Sequence, residues 1–145
     1  MANNDPFGLE RFVQAQAGVY DQALAEIRAG RKTSHWMWFI FPQIDGLGSS
    51  PMAKKYAIKS IAEAQAYLKH PVLGPRLVEC CEAVLQINGK SAPDIFGDTD
   101  AMKLRSSATL FEYVAAEDSV FGRLLDKCFG GLRDDATLRL LDWQP

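Results

Sequence analysis

Among the side chains of this chain that could move a proton or hold an anion, His35 stands in the most concentrated setting, Ser34-His-Trp-Met-Trp-Phe-Ile-Phe-Pro42. Histidine is the side chain suited to proton transfer near neutral pH. If Ser34 caps a short helix, His35 and Trp38 stand three residues apart on one side of it, an imidazole beside an indole, able to stack on and hydrogen-bond a planar or sugar-like ligand. The plainer alternative is an imidazole bonded to a backbone carbonyl while the tryptophans fill core volume. A glycine-punctuated loop, Gln43 to Ser50, follows and ends at Ser50-Pro51. A helix starting there offers free N–H groups to an anion, with Ser49 and Ser50 adding hydroxyls; alternatively Ser50 only caps its own helix. The third group is Lys103 with Ser106 and Ser107, at i, i+3 and i+4 on a helix face. An ammonium one turn before two hydroxyls can hold a phosphate or carboxylate, and the same set also describes an ordinary solvated face.

Other chemistries find little support. No His-x-x-x-His, Cys-x-x-Cys or Glu-x-x-His spacing occurs, so no metal site and no cofactor are expected. Gly46-x-Gly48 lacks the lysine of a phosphate loop, and Gly130-Gly131 is a backbone turn rather than a nucleotide fingerprint. His70, just before Pro71, reads as a helix-start residue. Of the three cysteines, Cys80 and Cys81 are adjacent, which suits neither chelation nor a disulfide framework. They read as buried small hydrophobes in a reducing compartment.

Helices must position these groups. Asp5-Pro6 is a cap-plus-proline start, and Leu9, Phe12, Val13, Gln16, Tyr20, Leu24 and Ile27 recur at helical spacing, which predicts one long amphipathic helix ending at Gly30. Its outer face carries Glu10, Arg11, Asp21, Glu26 and Arg28. A short helix from Ser34 to Phe41 stops at Pro42, a helix follows Ser50-Pro51, and Ser60 with Glu63 forms a capping box for the next. A strong period then runs from Leu73 to Leu85, a short turn from Ser91 to Phe96, and an apolar stripe from Met102 through Val114 after a Thr99 cap. Asp118 starts a helix stopped by Gly130, and Asp134 or Asp135 caps the last. With no run of strict alternation, the expectation is an all-α bundle of about seven to nine helices with little or no sheet. It should form one domain over residues 1–145, with flexible ends at 1–5 and 142–145.

Composition agrees. A chain of 145 residues that is 48% hydrophobic and 23% charged is globular in character, long enough to bury roughly two-thirds of its unfolded surface. Sixteen Lys and Arg against 18 Asp and Glu leave a net charge of −2, with no electrostatic footprint for nucleic acid or membrane. The start, Met-Ala-Asn-Asn-Asp-Pro, is unlike a signal peptide, and no apolar run has the length of a membrane span, so a cytoplasmic location is expected.

Three stretches carry a resemblance. Gly30-Arg-Lys-Thr-Ser-His-Trp-Met-Trp-Phe-Ile-Phe-Pro-Gln-Ile-Asp-Gly-Leu-Gly48, then Lys69-His-Pro-Val-Leu-Gly-Pro-Arg-Leu77, then Ile95-Phe-Gly followed by Met102-Lys-Leu-Arg-Ser-Ser-Ala-Thr-Leu-Phe111, resemble a mostly bacterial family known as domain of unknown function 1810. The resemblance implies a small helical domain and marks His35, Trp38, Gln43, Ser49, Lys103, Ser106 and Ser107 as motif positions, without an activity. Many members carry the label "calpastatin", which denotes a disordered repeat inhibitor and does not suit a non-repetitive globular chain. Separately, Glu10-Arg-Phe-Val-Gln-Ala-Gln16 looks like the Glu-His-Tyr-x-Gln-Ala signature of YbiA-like helical families tied to ADP-ribose chemistry. That likeness implies Glu10 as a general base, with Arg11 standing where those families have histidine.

Three functions are compatible with these residues. The leading one is binding of a small anionic or nucleotide-like ligand between the aromatic segment and the Lys103 helix, with Trp38 stacking, His35 and Gln43 orienting, and Lys103, Ser106 and Ser107 holding the anion. It requires His35 and Lys103 to share one pocket. The second is hydrolysis or transfer at an N-glycosidic or phosphoester bond, with His35 or Glu10 handling the proton. The third is a protein-interaction module, which requires Trp36 or Trp38 to be largely exposed.

Overall fold

A computed structural model describes residues 5–142. The expected flexible ends lie outside the described residues except for Asp5 and Asp142. Ten helices follow one another: α1 (Glu10–Gln16), α2 (Tyr20–Arg28), α3 (Met37–Ile40), α4 (Pro51–Lys55), α5 (Ile61–Lys69), α6 (Leu73–Leu85), α7 (Ala92–Phe96), α8 (Asp98–Val114), α9 (Val120–Phe129) and α10 (Asp135–Asp142). Among the described residues there is no strand, only an isolated parallel bridge between Ile44 and Ile58. The fold is all-α.

Local chemistry explains most boundaries. Ser50, Ser60, Ser91 and Ser119 each accept a hydrogen bond from a backbone N–H three residues on, satisfying donors that a helix start leaves free. Asp134 does the same for Thr137 N and also accepts from the Thr137 hydroxyl. The His70 imidazole accepts from Val72 and Leu73 N–H, which makes it the helix-start residue expected. Gly130 ends α9 in the left-handed conformation at φ 60°.

The long first helix is two. Gly18 adopts φ +75° between α1 and α2, and α1 begins at Glu10 rather than Pro6, because the Asp5 carboxylate accepts from Leu9 and Glu10 N–H, four and five residues on. The helix after Ser91–Phe96 starts at Asp98, with Gly97 rather than Thr99 at its cap position, and α9 is capped by Ser119 rather than Asp118. Arg11, expected on a solvated face, instead reaches across to the segment before α5. Its guanidinium donates to the carbonyls of Lys55 and Ala57 and pairs with Glu63 at 2.7 Å, a carboxylate only 1% exposed.

The two longest helices frame the interior. α8 packs against α5, α7, α9 and α10, and α6 against α2, α3, α5 and α9. Phe12, Ile27, Trp36, Met37, Phe41, Tyr67, Leu77 and Phe111 are buried in one continuous core. At the α5–α6 corner the chains approach so closely that a Cβ on Gly74 would stand 2.2 Å from the Leu68 carbonyl oxygen. Glycine alone fits there. Among the described residues no helix is long and apolar enough to cross a membrane.

Candidate functional site

The aromatic segment is positioned by a glutamate on α2. Glu26 accepts hydrogen bonds from Thr33 N, Ser34 N, the Ser34 hydroxyl and Trp36 Nε1, all between 2.7 and 3.0 Å. Burial pushes its carboxyl upward, but these donors outweigh that and hold it at about 2, below its ordinary 4.5. Ser34 is therefore engaged by Glu26 and does not cap a helix. α3 begins only at Met37, so His35 belongs to the preceding bend and not to the helix of Trp38.

His35 and Trp38 nevertheless face one cleft of about 320 Å³ between this segment and the start of α8, together with Lys32, Asp98, Asp100 and Lys103. That volume is within the range of small-ligand sites. His35 and Lys103 thus share a pocket. The Lys103 ammonium lies 4.7 Å from the Trp38 ring centroid, a cation–π contact that ties α8 to α3 across the cleft. Trp36 is 1% exposed and packs in the core, whereas Trp38 is half-buried. Neither indole forms the exposed aromatic surface that an interaction module would need.

Beside the cleft lies a second, smaller cavity of about 10 Å³, lined by Gln43, Gly46, Gly48 and Tyr56, with Met37, Trp38 and Lys103 as walls common to both. It has room for about one water molecule. Gln43 is half-buried here, and its backbone carbonyl accepts from Ile58 N at 2.8 Å, which pins the loop to the segment before α5. Leu140 of α10 packs behind Gly46, where an added Cβ would lie 3.2 Å from it.

Not every expected residue arrives. Ser49 is exposed and lines neither cavity, and Ser50 caps α4. Ser106 and Ser107 leave Lys103 alone in the cleft. Both are buried because α8 runs through the middle of the fold with helices on several sides; Ser106 donates back to the Met102 carbonyl, and Ser107 Oγ is buried without a partner. Glu10 is exposed and lines a different cavity, beside Lys69 and His70.

Three charged residues line the site that its residue types and spacing had not singled out: Lys32, Asp98 and Asp100. Lys32 Nζ stands 2.8 Å from Asp100 Oδ2, donates to the Ser34 carbonyl at 2.5 Å and lies over the Trp36 ring. Asp100 also pairs with Lys103, at 3.5 Å. The i, i+3 spacing of Asp100 and Lys103 was a readable signal for that pair; the partnership of Lys32 and Asp100, which brings two distant segments together, has no local trace. Among the described residues no group of three or more His, Cys, Asp or Glu side chains is arranged to hold a metal ion.

No functionally curated protein matches the chain. A crystal structure at 1.38 Å of the conserved hypothetical protein Rv1873 from Mycobacterium tuberculosis is similar at a TM-score of 0.93 and 54% identity, covering 95% of this chain and 99% of that one. The family model for a protein of unknown function (DUF1810) matches residues 6–141, so this chain belongs to the DUF1810 family.

Proposed function

We propose that the cleft between α3 and the start of α8 binds a small anionic or nucleotide-like ligand. The observation that carries this reading is the Lys103 ammonium held over the Trp38 ring in the wall of an open cleft of ligand size. An indole offers a flat apolar face to a base, and an adjacent ammonium offers a charge to a phosphate or carboxylate. Lys103 and His35 then contact polar groups of the ligand, while Gln43, which lines only the smaller cavity, takes no direct part. In this reading the chain works as a single cytoplasmic domain without nucleic acid or membrane as a partner. The experiment is a thermal-shift titration with adenosine and its nucleotides, because a ligand that prefers the folded state must stabilise it. A saturable rise that disappears in Trp38→Ala supports the reading; unchanged melting across the panel counts against it.

A second reading, hydrolysis or transfer at an N-glycosidic or phosphoester bond, is favoured by the exposed imidazole of His35 in the same cleft. Glu10 has no part in this version, since it lines another cavity. Turnover of ADP-ribose that is lost in His35→Ala while the fold survives would support it, and absence of turnover would remove it.

A further inference from the structure

The two lysines of the cleft are not equivalent. Lys32 has a side chain only 8% exposed, and its ammonium is engaged by the Ser34 carbonyl, the Trp36 ring and Asp100 Oδ2. Lys103 is 27% exposed, meets the other Asp100 oxygen at the looser distance of 3.5 Å, and lies over Trp38. Asp100 therefore joins an inner lysine that has only protein partners to an outer lysine that faces the cleft. Asp98 adds a second carboxylate to the lining. Leaving His35 aside, two ammonium groups face two carboxylates, so the cleft lining has no formal excess of positive charge.

We propose that Asp100 determines the charge selectivity of the cleft, so that it accepts a planar, nucleoside-like ligand with at most one negative charge and rejects polyphosphates. This deepens the ligand-binding reading above and rests on it. A first negative charge can meet Lys103 directly. Each further one is brought close to Asp98 and Asp100 with no unpaired ammonium to offset the repulsion, which is discrimination by a built-in unfavourable contact. Asp100 acts here through Lys103 and need not touch the ligand, which makes it a positioning and charge-setting residue.

The test is calorimetric titration of the full chain with adenosine, which carries no phosphate, and with cyclic AMP, AMP and ATP, whose negative charge increases in that order. Wild type should bind cyclic AMP or adenosine at least roughly tenfold more tightly than ATP, and affinity for cyclic AMP should change less than about twofold between about 50 and about 200 mM salt. In Asp100→Asn the order should turn toward ATP, with an ATP-to-adenosine affinity ratio raised roughly tenfold and a clear fall with salt, while Asp100→Glu keeps the wild-type order. A purely structural role for Asp100 would weaken all four ligands alike. ATP as the tightest ligand of wild type, or the same ranking in folded Asp100→Asn, overturns this proposal and leaves the ligand-binding reading standing. No binding of any of the four overturns both. If Asp100→Asn does not fold, the wild-type ranking and its salt dependence still decide.

Discussion

The ammonium of Lys103 on α8 and the indole of Trp38 on α3 meet at 4.7 Å, although 65 residues of chain numbering separate them. The contact joins a half-buried aromatic wall to a charge that still reaches solvent. Glu26 gathers the bend before α3, and Asp100 connects Lys32 to Lys103.

Glu26 is the first place where that arrangement can be tested. Replacing it by alanine strands the N–H groups of Thr33, Ser34 and Trp36, and charge-assisted bonds of this kind make a loss of about 2–3 kcal/mol the expectation in urea unfolding. The effect depends on pH in a defined direction. Because the folded-state pKa is depressed to about 2 from 4.5, the stabilisation is present in full above the unfolded value and is lost as pH falls toward the folded one. The gap between wild type and Glu26→Gln should therefore narrow between pH 7 and pH 3. An equal gap at both pH values would remove the carboxylate's role.

The Arg11–Glu63 pair gives a second expectation. Glu63 is buried, and removing Arg11 takes away its ion-pair partner and leaves the Lys59 N–H as its donor. Arg11→Met should lose about 3 kcal/mol in the same assay, and adding Glu63→Leu should recover part of it. If Arg11→Met unfolds like wild type, the pair carries no weight in the stability of the fold.

The thiols supply a third. Cys80 and Cys81 are buried, and desolvation pushes Cys80 up to about 12 and Cys81 well above its ordinary value; half-buried Cys128 is raised as well. All three stay protonated at pH 8, and the thiolate is the reactive form. A thiol-exchange reagent should label none of them rapidly in the native protein and all three in denaturant. Rapid native labelling of Cys80 or Cys81 would show that α6 opens.

These residues also separate what local sequence decides from what tertiary packing decides. Caps at Ser50 and Ser60 were legible because each is decided within three residues of chain, and the same local rule narrowed the last cap to Asp134 or Asp135, of which Asp134 accepts from Thr137 N. The break at Gly18 was not, since a glycine inside a helical pattern costs only about 1 kcal/mol and the apolar period continues on both sides of it. Ser106 and Ser107 beside Lys103 looked like an anion-binding face. Their burial depends on which helices pack around α8, and spacing along one helix does not contain that information. The same holds for Arg11 and Glu26: a charged residue on the outer side of an amphipathic pattern can be solvated or can organise a distant loop, and only the tertiary partner decides.

The most direct test of the cleft as a ligand site is a nuclear magnetic resonance titration of the labelled chain with cyclic AMP, following the Trp38 indole N–H and the amides of residues 32–38 and 97–103. Saturable shifts confined to these signals are expected, with affinity reduced roughly tenfold in Trp38→Ala and less in Lys103→Met, in line with the energy of stacking a base on an aromatic ring. Shifts centred instead on the Glu10, Lys69 and His70 cavity, or binding that is unchanged in Trp38→Ala, would contradict the account.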